Sequence, residues 1–147
     1  MALFAAIVIG GLFGTVIPLI TTGGAVRAEV AGQLPQQLTA GVGIEQPLAL
    51  DNTSTGVIKR TCLLVELDPP GVLAVPEVRF QGLDTEPVSG GRACGGQLSG
   101  QEVISLRTRL VALRPGTVRV RLTAGDGGRP IGPSLSRTVT VVAPPPR

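Results

Sequence analysis

Two hydrophobic rhythms divide this chain. From Ala2 to Ile20 the positions are apolar without interruption apart from Gly, Thr15 and Pro18, and no charged side chain occurs between Ala2 and Val26. Beyond Gly32 the apolar positions come in short alternating runs separated by Gly, Pro, Asp and Asn. A period of two is the mark of a strand with one buried face, and no later stretch carries a helical period. The alternation predicts strands at about 37–44, 46–51, 57–67, 73–80, 102–113, 117–124 and 136–142, bounded by turns such as Asp51–Gly56 and Asp68-Pro69-Pro70-Gly71. About seven short strands in this length predict an all-β two-sheet sandwich. The best-defined piece is a hairpin joining 103–112 to 118–122 through Arg114-Pro115-Gly116, with Leu110 opposite Val120 and Ala112 opposite Val118.

The first rhythm predicts a different element. About 20 apolar residues at 1.5 Å each span a hydrocarbon core of about 30 Å, so residues 1–24 read as a single transmembrane helix that serves as a signal anchor. A cleaved signal peptide is the alternative, with a cleavage site after Ala28 in Val26-Arg27-Ala28 that departs from the small-x-small pattern. Its apolar stretch is usually only about 7–15 residues and follows a basic start, and no Lys or Arg precedes the run here. Ala6, Gly10 and Gly14 recur at the spacing of one helix face, where small residues let a second helix approach. The other reading of that stripe is that Gly is simply frequent in membrane helices. The domain plan is thus a helix over 1–24, a linker over 25–36, a sandwich over 37–143 and a Pro-rich tail over 144–147.

Composition narrows the chemistry. The 147 residues contain no His, Trp or Tyr, with one lysine, Lys59, and otherwise arginine, for a net charge of +3. Without imidazole there is no common general base and no usual zinc, copper or haem ligand. Ser and Cys therefore lack the partner that activates a nucleophile, Lys59 has no Ser-x-x-Lys context, and Asp68, Asp84, Glu86 and Asp126 fall in predicted turns. No catalytic residue, metal ligand or cofactor site is predicted, and the chain is expected not to be an enzyme. The basic balance is mild and comes without aromatic platforms or a dense cationic tract, so nucleic acid is not an expected partner.

Three features remain as binding or stabilising candidates. Cys62 and Cys94, with no other cysteine or histidine to share a metal, read as a disulfide of an exported domain; the alternative is two buried thiols in a reducing compartment. That bridge would staple the irregular Gly-rich stretch between Gln81 and Ser99 and make it a candidate contact surface. The predicted hairpin register sets Arg107, Arg109, Arg119 and Arg121 on one outward face, with Glu66, Glu77 or Glu102 as compensating neighbours. Such a patch fits anionic lipid or an acidic protein surface, against the plainer reading of a solvated strand face. Asn52-Thr53-Ser54 matches a glycosylation sequon but equally serves as turn chemistry.

Residues 44–55 (IEQPLALDNTST), the turn at 98–102 (LSGQE) and the run 113–122 (LRPGTVRVRL) together resemble bacterial immunoglobulin-like surface modules. In those modules a Leu-x-x-Gly-Glu turn precedes the final hairpin; here Gln101 intervenes before Glu102. The resemblance implies an immunoglobulin-like β-sandwich with a binding or scaffolding role, and it transfers no functional residue. The expectation is a single-pass protein of the cell membrane with its sandwich on the extracytoplasmic side. It would serve as an accessory subunit packed against other transmembrane proteins of a larger assembly, respiratory or photosynthetic for example. A pilin-like or adhesive filament subunit and a cleaved secreted binding protein are the alternatives.

Overall fold

The computed structural model describes residues 25–82 and 85–146, and in them the alternating pattern becomes two packed sheets. The strands are β1 (Ala28–Ala31), β2 (Gln37–Thr39), β3 (Gly43–Asn52), β4 (Thr61–Asp68), β5 (Leu73–Ala74), β6 (Glu77–Phe80), β7 (Thr85–Pro87), β8 (Arg92–Cys94), β9 (Val103–Ala112), β10 (Gly116–Asp126) and β11 (Arg129–Val142). One sheet runs β1-β3-β9-β6-β7, with β5 also paired to β9, and the other runs β2-β11-β10-β4-β8. All pairings are antiparallel except β2 with β11. The helix expected over 1–24 and its stripe Ala6, Gly10 and Gly14 lie outside the described residues. Among the described residues no helix is long and apolar enough to cross a membrane.

The core is made by the inward rows of both sheets. Leu106, Leu110 and Ala112 of β9 alternate with outward Ser105, Arg107 and Arg109, and Val118, Val120 and Leu122 of β10 alternate with Thr117, Arg119 and Arg121. Phe80, Leu50 and Val78 add to the first row and Leu63 and Val139 to the second, all fully buried. Each such side chain removed from water contributes about 1.5–3 kcal/mol. Pro47 sits inside β3 without breaking it because β1 stops at Ala31, opposite Ala49, so the ladder on that side has already ended.

The structure corrects the predicted hairpin. β9 and β10 are in different sheets, and the link between them crosses over one end of the sandwich. Both flanks of β9 are taken by β3 and by β5 and β6, and both flanks of β10 by β4 and β11. The N–H groups of Leu113 and Arg114 donate to the Val72 carbonyl, which carries the crossing away from a hairpin turn. Leu110, Ala112, Val118 and Val120 are all core residues, as the pattern requires, but they belong to opposite sheets. Alternation reports which face is buried and not which strand is the neighbour. The true hairpin is β10–β11, closed at Gly127-Gly128 with Asp126 opposite Arg129.

Other boundaries move for local reasons. The run at 37–44 divides, its first part pairing with β11 and its end joining 46–51 in the single strand β3. Residues 73–80 split at Val75-Pro76 into β5 and β6. The irregular stretch after Gln81 supplies a short strand to each sheet, β7 and β8, and so also changes layers.

Candidate functional site

The outer face of the five-stranded sheet gathers the most polar chemistry. Along β4 and β10 the register sets Glu66 opposite Arg121, Leu64 opposite Thr123 and Cys62 opposite Gly125. β11 continues the same face with Ser134 opposite Thr123, Ser136 opposite Arg121 and Thr138 opposite Arg119. On the other flank β8 places Arg92 opposite Leu64 and Cys94 opposite Cys62. Strand alternation alone puts these side chains on one surface.

The surface is hollowed where the Gly90–Arg92 segment and the β10–β11 turn rise on either side of it, leaving an open groove of about 510 Å³. A disulfide joins Cys62 to Cys94 and fixes the first wall to β4, helped by the Gly91 carbonyl accepting from the Val65 N–H. The Arg92 guanidinium reaches across to the opposite wall, where a Cβ on Gly128 would come within 2.6 Å of its Nη1. At the floor, Thr123 Oγ1 and Ser134 Oγ are 2.6 Å apart and hydrogen-bonded.

The two cations of the groove differ. Arg121 pairs with Glu66 at 3.4 Å, an exposed contact worth roughly 0–1 kcal/mol. Arg92 is half-buried and, among the described residues, makes no ion pair. A guanidinium presents a planar fork of donors suited to carboxylates and other oxyanions, and partial burial sharpens that preference. The Thr123 and Ser134 hydroxyls bond each other and no carboxylate, which suits ligand hydrogen bonding better than nucleophilic attack. Among the described residues no group of three or more Cys, Asp or Glu stands close enough to hold a metal ion.

The expected arginine patch divides with the strands that carry it. Arg119 and Arg121 face outward on this sheet; Arg107 and Arg109 face outward on the other, on the opposite side of the molecule. There Glu45 lies opposite Arg109 and reaches Arg107 at 3.8 Å, so that half is a mixed-charge strand face. Of the anticipated compensating carboxylates, Glu66 takes Arg121, while Glu102 accepts from the Ser99 N–H. Cys62 and Cys94 meet as expected, and the stapled stretch does border a groove.

Arg92, Thr123 and Ser134 escaped sequence reasoning because their convergence depends on the β4–β8 and β10–β11 pairings. The one available signal was the outward row of hydroxyls at 134, 136, 138 and 140. Asn52, at the head of the sequon, proves to be fully buried: its Nδ2 donates to the Gly56 and Ser99 carbonyls at 2.9 Å and its Oδ1 accepts from Ser54.

No protein-family model matches the sequence, and no curated protein sequence is similar to it. Solved structures do share its shape. AvmM, described as catalysing macrocyclisation in alchivemycin A biosynthesis, superposes with a TM-score of 0.54 at 13% identity, covering 83% of this chain and 91% of its own. The cohesin module of a family 33 glycoside hydrolase from Clostridium perfringens gives 0.51 at 14% identity, over 82% of this chain and 98% of its own. One of these is a catalyst and the other a module of a larger enzyme, so a shared shape does not carry a shared chemistry. What it shows is the fold: the described chain is an immunoglobulin-like β-sandwich of two sheets, stapled by the Cys62–Cys94 disulfide.

Proposed function

We propose that this chain is a non-catalytic accessory module on the extracytoplasmic side of the cell membrane. In this reading the apolar segment 2–20 tethers it beside other membrane proteins, and the groove beneath Gly90–Arg92 receives an acidic segment of one of them. The observation that carries the reading is Arg92, a half-buried guanidinium at a groove wall with no carboxylate of its own among the described residues. The disulfide supports the compartment, because such bonds persist where thiols are not kept reduced. The uninterrupted apolar run supports the tether. The hydroxyl pair and Arg121 give a docked carboxylate further donors on the groove floor.

Cross-linking in native membranes followed by mild-detergent purification tests this. One reproducible large partner is expected for the wild type, with recovery falling about tenfold or more in the Arg92→Gln/Arg121→Gln double variant, as for loss of a charge-assisted contact. A clean monomer at natural abundance contradicts the reading. A ladder of self-linked copies points to a filament subunit instead.

A further inference from the structure

The end of the sandwich from which the N-terminal segment departs has its own chemistry. Thr53 pins the departure point, its backbone N–H donating to the Arg27 carbonyl at 3.0 Å and its Oγ1 to the same oxygen at 3.3 Å. Val26 packs beside Gly56, so the exit lies against the 53–60 loop. The same end carries the β10–β11 turn, since the Arg60 N–H donates to Asp126 and the Gly127 N–H to the Arg60 carbonyl. Arg27, Lys59 and Arg60 are all exposed here, and among the described residues none makes an ion pair. Asp126 is already taken by Arg129 at 3.5 Å and by the Arg60 N–H, and Glu102 is occupied by the Ser99 N–H. Glu29 and Asp51 lie opposite each other on β1 and β3, one pair further in from the exit than Ala28 and Asn52. Val57, 46% exposed, stands between the exit and the two cations.

We infer that this end is a membrane-docking surface that recognises anionic lipid headgroups through Arg27, Lys59 and Arg60, with Val57 entering the interface. The inference rests on the tethered reading above. Between Ile20 and Arg27 even a fully extended chain spans only about 25 Å, so a bilayer holding residues 2–20 lies within that reach of a fixed exit point. Basic side chains close to an anionic leaflet are attracted over roughly a Debye length, and an exposed Val gains by leaving water at the interface. Docking on this end would hold the sandwich upright, with the groove opening beside the membrane because its Gly128 wall belongs to the docked end.

The test uses the full chain in vesicles of phosphatidylcholine alone or mixed with phosphatidylglycerol. Flotation reports the tether, and amide hydrogen exchange of residues 53–60 reports the docked end. The expected result is flotation with both lipids and exchange slowed roughly tenfold on the anionic vesicles only, the slowing being lost in high salt and in Arg27→Gln/Lys59→Gln/Arg60→Gln. These residues are exposed, so the variant retains the fold, which its unchanged exchange in β9 and β10 would verify. Flotation with equal exchange on both lipids overturns the docking surface and leaves the tether standing. Absence of flotation overturns the tether and the docking surface together.

Discussion

At the scale of single residues, the polar atoms inside the fold decide most. Asn52 joins the end of β3 to the loop at 98–99 through hydrogen bonds no other residue type reproduces. Its replacement by Ala takes the side-chain donor from the Gly56 carbonyl and unties the two loops, and is expected to cost about 2–4 kcal/mol, read as a shift in the chemical denaturation midpoint. Thr61 is the reverse case, since its buried Oγ1 finds no partner among the described residues. Thr61→Val keeps the shape and removes that hydroxyl, so the same measurement should show no loss, or a gain of up to about 1 kcal/mol. Sequence revealed Asn52 only as a turn former. Its role depends on contacts about 46 residues away, which no local pattern encodes.

At the scale of elements, the burial rhythm was legible and the partner choice was not. The alternation places Leu110, Ala112, Val118 and Val120 inward, as they are, and the crossing of β9 and β10 to different sheets was hidden because Arg114-Pro115-Gly116 has the length and composition of a hairpin loop. That crossing divides the arginine patch, while the groove was hidden because it depends on the β4–β8 and β10–β11 pairings. The disulfide was legible because no third Cys or His offers a metal site, which left a bridge as the expected reading against two buried thiols. The bridge closes a separation of 32 residues, and its removal in Cys62→Ser/Cys94→Ser is expected to cost about 3–4 kcal/mol by chain entropy. Exchange should rise first in β8 and at Gly90–Arg92, loosening one wall of the groove. In the turn at 98–102, Gly100 approaches the Thr55 carbonyl too closely for any Cβ. Gly100→Ala therefore forces the two loops apart, with a loss of about 1–3 kcal/mol expected in thermal denaturation.

At the scale of the whole molecule, two surfaces stand on one frame. The core and its disulfide make a rigid frame, the outer face of the β4–β10–β11 sheet offers a groove with a guanidinium that makes no ion pair among the described residues, and the end with exposed Arg27, Lys59 and Arg60 is the one at which the described chain begins. In the proposed reading the chain acts by holding a partner near a membrane, which depends on the tether remaining attached in a disulfide-permissive compartment. The intact mass of the native protein, taken from membranes without reductant, tests both conditions at once. The predicted mass includes residues 2–24 and is lighter by two hydrogens than the fully reduced chain. A mass beginning near Glu29, or one with both thiols free, would contradict the tethered, extracytoplasmic reading.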